Sequence, residues 1–248
     1  MPATDPTTDA STTPGLVSLA EQDESALGGP LSVLVRQKRD HVRLDQLLHE
    51  LGAAGPDVED DVLRRIHRLV FTHAFAEEAV LWPVLRRVLP DGEELTLQVE
   101  QEHQEVNELV AAIDDIPAGS PERQPLLDRL TDVLREDVRD EEDELLPRLQ
   151  ARLGPRRLRA LGVAWEVVRR TAPTRAHPVV ARRPPGNALA AVPLTVVDRA
   201  RDHVDRRLQH GTGGPRLERV SQGLERAAHA IEHAPVLRRG EDPSTSVG

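Results

Sequence analysis

Two stretches of this 248-residue chain repeat one another without a gap. His73-Ala-Phe-Ala-Glu77-Glu78-Ala-Val-Leu-Trp-Pro83 lines up with Asp137-Val-Arg-Asp-Glu141-Glu142-Asp-Glu-Leu-Leu-Pro147. A second pair lies upstream of each: Asp40-His41-Val-Arg-Leu-Asp45 matches Glu102-His103-Gln-Glu-Val-Asn107. The separations agree, 62 residues from His41 to His103 and 64 from His73 to Asp137. A repeat of this size is one supersecondary unit, and such a unit buries its apolar face only against its partner. Both copies carry helical periodicity, so the repeat predicts two helical hairpins related by a pseudo-twofold axis.

The punctuation agrees with four long helices. Periodicity predicts a helix over 31–50 that stops at Gly52, and a second over 57–89 with a kink at Pro83. A third covers 93–115, and a fourth covers 126–153 with a kink at Pro147. The short connections, such as Gly55-Pro56-Asp57 and Pro90-Asp91-Gly92, imply antiparallel neighbours. The fold class is therefore all-α: an antiparallel up-down four-helix bundle over residues 30–153, followed by a C-terminal helical extension. Residues 1–29, rich in Thr, Ser, Asp, Pro and Gly, read as a disordered arm. Residues 154–237 read as a short amphipathic helix, a Pro/Arg-rich strap over 171–193, and a helical hairpin around Gly213-Gly214-Pro215. Residues 238–248 read as a disordered tail.

The repeat also places a candidate site. Side chains at i and i+4 project from one helix face, one turn apart. His73 with Glu77 and Asp137 with Glu141 form such pairs, and His41 and His103 face them from the other two helices. A bundle core is a known place for histidine–carboxylate di-metal sites. Buried carboxylates need compensation, and a cation supplies it. Cysteine is absent, so zinc–thiolate, iron–sulfur and thiol chemistry are excluded together. The donors left are imidazole and carboxylate, a set that suits iron, with a carboxylate able to bridge two ions.

These residues resemble the hemerythrin/HHE cation-binding family. Its pattern is a His on helix one, His-x-x-x-Glu on helix two, a His on helix three and His-x-x-x-Glu on helix four, with apolar-apolar-Pro endings on helices two and four. Here the matching residues are His41, His73 with Glu77, His103 and Glu141, followed by Leu81-Trp82-Pro83 and Leu145-Leu146-Pro147. The resemblance covers residues 31–153 and implies a hemerythrin-like bundle with a non-haem di-iron cofactor. The implied ligands are His41, His73, Glu77, His103, Asp137 and Glu141. Asp137 departs from the pattern, which has a histidine there. Two readings of it stand: a carboxylate ligand, or a solvated acid on a very acidic helix. As a ligand it gives three histidines and three carboxylates, a harder set that favours the ferric state. No tyrosine occurs, so no phenolate can serve.

Three functional classes follow. The first is a di-iron protein that binds or senses a small diatomic or peroxide ligand (O₂, NO or peroxide). The second is a di-iron enzyme with catalase-like or ferroxidase-like activity. The third is a degenerate metal-free helical interaction module. A net charge of −10 disfavours nucleic acid as a partner. No apolar run suits a membrane span and no secretory signal is visible, so the expected location is cytoplasmic. Residues 154–210 hold twelve arginines against four acids, a positive excess expected to dock on the acidic fourth helix.

Overall fold

A computed structural model describes residues 16–183, 185–209, 214–239 and 242–245. Four helical rods form the bundle. The first is α1 (Val33–Gly52), whose N-terminus is capped by Ser32, its Oγ accepting from Leu34 N. The second is α2 (Pro56–Ala76), a π-helical turn over Glu77–Leu81, and α3 (Trp82–Val88). The third is α4 (Gly92–Asp114). The fourth is α5 (Gln124–Asp140), a π-helical turn over Glu141–Leu145, and α6 (Leu146–Arg152). Among the described residues there is no strand, and no helix is long and apolar enough to cross a membrane.

The kinks expected at Pro83 and Pro147 are π-helical turns at equivalent places in the repeat. Proline lacks an N–H, and its ring collides with the carbonyl four residues back. Widening the preceding turn relieves both problems, and such bulges gather at functional sites. Glu77 and Glu141 each open a widened turn.

Burial along the rods shows how the core frames a site. In α1 the apolar Val33, Leu34 and Val35 belong to one core cluster and Leu44, Leu47, Leu48 and Leu51 to another. The second rod runs the other way, with Val62, Ile66 and Val70 in the second cluster and Leu81, Trp82 and Leu85 in the first. The third and fourth rods repeat this alternation. In every rod the polar residues of the candidate site lie between the two clusters.

The chain outside the bundle is built onto it. Residues 16–29 are not a loose arm. Leu19 and Leu27 are fully buried in the first core cluster, and Lys38 Nζ donates to the carbonyls of Ala20 and Gln22. The physical reason is that two leucines suffice to tie a polar segment to an apolar seam. Residues 1–15 of the expected arm lie outside the described residues. α7 (Pro155–Arg170) packs on α1 and α2, with Leu158 and Trp165 buried. It crosses the start of α1 so closely that a Cβ at Gly162 would collide with the Leu31 carbonyl and sit 2.8 Å from Val33 N. Glycine is what permits that approach.

After the strap come α8 (Gly186–Gln209) and α9 (Pro215–Glu232), packed on one another. α8 begins earlier than the sequence suggests, and Pro193 lies inside it. Residues 242–245 of the expected tail also touch the bundle, where Gln101 Nε2 donates to Ser244 Oγ.

The docking charges differ from expectation. Extension arginines pair with Asp40 on α1 and with Glu93 and Glu100 on α4, and Arg182 approaches Glu78. Among the described residues none pairs with the acidic run 140–144. Those acids point to solvent or to the bundle's own side chains; α7 settles by apolar contact on α1 and α2, and the strap hydrogen-bonds to Gln104 and Asn107 of α4.

Candidate metal centre

All six residues singled out from the repeat meet at one place. His41, His73, Glu77 and Glu141 each bring a donor atom within 4.8 Å of the others, as do His103, Asp137 and Glu141. Glu141 is common to both groups. Glu77 also reaches both, with Oε1 3.1 Å from His73 Nε2 and Oε2 3.7 Å from His103 Nε2. The Nε2 atoms of His41 and His73 are 3.3 Å apart, and His41 Nε2 is 3.2 Å from Glu141 Oε2. Asp137 is buried, with Oδ1 3.6 Å from His103 Nε2. It is therefore no solvated acid.

Every imidazole turns Nε2 inward and Nδ1 toward a carboxylate. His41 Nδ1 is 2.9 Å from Glu142 Oε1, and His103 Nδ1 is 2.9 Å from Glu78 Oε1. His73 Nδ1 is 3.2 Å from Asp40 Oδ2. Such pairing fixes the tautomer and ring plane and makes the inner nitrogen a better donor to a metal. The pattern crosses the pseudo-twofold, because Glu142 of the second hairpin holds His41 of the first and Glu78 holds His103. Gln37 Nε2 donates to Glu77 Oε1 at 2.5 Å. Trp82 stacks on His103 at 6.4 Å, and Trp165 of α7 stands edge-on to His73 at 5.5 Å.

The donor set fits a cation. Glu77 Oε2, Asp137 Oδ1 and Glu141 Oε1 are buried and make no hydrogen bond. Orphaned buried carboxylate oxygens are costly, and several converging on three inward imidazole nitrogens match the hard-oxygen and imidazole preference of iron and related metals. Electrostatics agree. Burial opposes charge on His41 and His103, yet the carboxylates around them prevail and raise their pKa values to about 9 and about 10. His73 is raised well above its usual value against the same burial, by Glu77 and Asp40. Burial, then the charge of Glu141, pushes Asp137 well above the carboxylate range, and burial, then Glu77, raises Glu141. Glu77 goes the other way because the three histidines outweigh its burial. The pocket thus attracts positive charge wherever it can be placed.

A cavity of about 20 Å³ opens on the centre, lined by His41, His73, His103 and Asp137 on one side and by apolar residues such as Leu44, Val70 and Leu134 on the other. Sequence reasoning missed Gln37, Asp40, Glu102 and Trp165. Asp40 and Glu102 were findable, since each directly precedes a lone histidine at equivalent places in the repeat. Gln37 and Trp165 carry no such signal. Asn107 supplies no ligand; its Nδ2 donates to the His103 carbonyl and its Oδ1 accepts from His177 N in the strap. His229, Glu232 and His233 also come together, but at the surface.

Comparison with known proteins points the same way. Residues 33–149 match the hemerythrin HHE cation binding domain. The chain is 26% identical over 135 residues to an uncharacterized hemerythrin-like protein of Schizosaccharomyces pombe, covering 54% of this chain and 66% of that protein. It is 28% identical over 117 residues to a DNA nickase of Nostoc sp., covering 47% of this chain and 33% of that protein. The matches thus span less than two thirds of either relative. No solved structure matches.

Proposed function

Residues 33–149 belong to the hemerythrin HHE cation-binding family, and from that premise we propose that this chain is a non-haem di-iron protein that binds or senses a small molecule: dioxygen, nitric oxide or peroxide. His41, His73, Glu77 and Glu141 would hold one ion, His103, Asp137 and Glu141 the other, with Glu77 in reach of both. Bound iron would supply redox and Lewis-acid chemistry toward a small oxidant or radical. The observation that carries the reading is the cavity of about 20 Å³ against the three imidazoles. A void of that size holds about one water-sized molecule. Its apolar wall favours an uncharged guest, while Glu78, Glu142 and Asp40 keep the imidazoles aimed.

The test is anaerobic loading with Fe(II), followed by iron analysis and optical spectra with and without dioxygen or nitric oxide. About two irons per chain and a spectrum that changes with the gas are expected. Less than one iron per chain would overturn the reading. One observation favours an enzymatic variant. Asp137 makes one side of the centre carboxylate-rich, which stabilises the higher oxidation state and suits catalase-like or ferroxidase-like turnover. Oxygen evolution from peroxide, or Fe(II) oxidation beyond stoichiometry, separates that variant from binding alone.

A further inference from the structure

A second site lies away from the bundle core, where the extension crosses the outer face of α1 and α2. A groove of about 510 Å³ runs there between the two parts of the chain. That volume lies within the range of small-molecule sites, roughly 300–1,000 Å³, and domain junctions are where such sites occur. The bundle contributes Arg43, Arg65 and Arg68 to its walls, and the extension contributes Arg169, Arg170, Arg199 and Arg206. The floor is apolar, formed by Leu47 and Leu69.

The arginines outnumber the acids that serve them. Asp202 is the one acid in the lining, and it is engaged: Oδ2 accepts from Arg68 at 2.6 Å and from Thr174 Oγ1 at 3.0 Å, and Oδ1 from Arg175 at 3.1 Å. Beyond the rim, Glu50 takes Arg65 and lies 3.5 Å from Arg43. Glu166 takes Arg170, and Asp40 lies 3.3 Å from Arg169. Four carboxylates thus face seven guanidiniums. Arg199 and Arg206 have no carboxylate within ion-pair distance among the described residues. Each is instead held by a backbone carbonyl, Arg199 Nη2 by Arg170 O at 2.6 Å and Arg206 Nε by Asp202 O at 3.0 Å. Arg169 is engaged at the rim, 3.3 Å from Asp40 and 3.7 Å from Glu166, with its Cζ 5.1 Å over the Trp165 ring.

An interface built only to dock two surfaces would pair its charges and close its voids. This one leaves guanidinium donors pre-positioned around an open space. The adjoining cavity, which shares Arg65, Arg68, Asp202 and Arg206 with the groove, is lined by acids and bases alike and has no such excess.

We infer that the groove binds a small anion carrying a di- or triphosphate group, its phosphate oxygens on Arg199 and Arg206 and any organic body over Leu47 and Leu69. Planar guanidinium forks match phosphate oxygens two at a time, which is the geometry arginine offers and lysine does not. A chain of net charge −10 repels polyanions over most of its surface, so a local site favours a compact ligand over a long nucleic acid.

The test is calorimetric titration of the full chain at about 0.1 M salt with sodium tripolyphosphate, with ATP, and with orthophosphate. Saturable one-to-one binding of tripolyphosphate is expected, tighter than orthophosphate. The double variant Arg199→Gln/Arg206→Gln should weaken it by roughly tenfold or more, from lost charge-assisted hydrogen bonds. Arg156→Gln/Arg157→Gln, at exposed positions on the first turn of α7 outside the groove, should leave it unchanged. ATP binding tighter than tripolyphosphate would identify a nucleotide ligand, and equal binding a bare polyphosphate; both support the site. Absent saturable binding in the wild type, or equal losses in the two double variants, would overturn it. So would tighter binding to a short DNA duplex than to tripolyphosphate, which would make the groove a nucleic-acid surface.

Discussion

The two hairpins of the bundle carry the same design with one difference, and the difference is chemical rather than architectural. In the first, Asp40 on α1 meets His73 on α2, Nδ1 to Oδ2 at 3.2 Å. In the second, Glu102 stands where Asp40 does, but Asp137 replaces the histidine. Glu102 Oε2 is left buried without a hydrogen-bond partner. Burial, then the charge of Asp140, raises its pKa to about 7. The backbone of the repeat, its π-helical turns and its prolines have all kept their symmetry. A candidate donor position thus differs between the hairpins while the scaffold around it is the same, and Glu102 is the outer carboxylate left without an imidazole. The consequence is a centre with two imidazoles on one side and one on the other.

Glu141 tests the shared part of the design and should give the largest effect. It belongs to both donor groups, so Glu141→Gln is expected to drop iron from about two per chain to below one. Iron analysis checks this. Two irons retained would show that Glu141 bridges nothing.

Asp137→His addresses the difference directly. A histidine there would give Glu102 the partner that Asp40 already has. The second equivalent of metal should bind about tenfold tighter, the lower end of what such outer carboxylate partners contribute. The gain should vanish when Glu102→Gln is added, a coupling of roughly 0.5–3 kcal/mol for residues in one network. Metal titrations of the four proteins in that cycle read it. A gain that survives Glu102→Gln would mean the two hairpins do not orient their ligands alike.

Much of this was legible because the repeat is a spacing pattern, and spacing survives without a structure. Four rods, their antiparallel order and six converging side chains follow from periods of 3.6 and offsets of 62 and 64. What was not legible depends on contacts between distant segments. Nothing local in Gly162 announces that α7 grazes the start of α1, and Leu19 and Leu27 look like loop residues until their seam is seen. α8 starts early, with Pro193 inside it, because its packing on α9 outweighs the breaker. Asp137 was ambiguous in sequence because acidity around it, from Asp140 to Glu144, looks the same whether a given acid faces water or the core.

The outer carboxylates Glu78 and Glu142 offer a finer comparison, since each holds the histidine of the opposite hairpin at 2.9 Å. Glu78→Gln and Glu142→Gln should each lower metal affinity, within about 10–100-fold. The Glu78 variant should lose more, because Glu78 is more deeply buried and Arg182 of the strap lies 3.6 Å from it, whereas no extension residue pairs with Glu142 among the described residues. Equal losses would show that the strap leaves the centre indifferent.

The smallest expected effect comes from a second break in the symmetry, six residues before His73. His67 lies on α2, and its counterpart in the repeat, 64 residues on, is Thr131. His67 is buried, its Nε2 has no hydrogen-bond partner, and burial together with the charges of Arg175, Arg123 and Arg64 lowers its pKa to about 3. The folded chain therefore keeps this ring neutral at pH values where the unfolded chain protonates it. The sign follows. Above pH 6.5 the ring contributes no pH dependence. As pH falls through 6.5 the unfolded state takes up a proton that the folded state refuses, and stability declines until the pH approaches 3. For a single group the loss is about 0.8 kcal/mol at pH 6, growing toward about 1.4 kcal/mol per pH unit below that. His67→Thr restores the symmetry of the repeat and should remove this slope. Its melting temperature relative to wild type should rise steadily from pH 7 to pH 5, whatever offset the substitution brings at pH 7. A constant difference across that range would mean that His67 is protonated in the fold, and that this end of the first hairpin is wetter than its buried contacts imply.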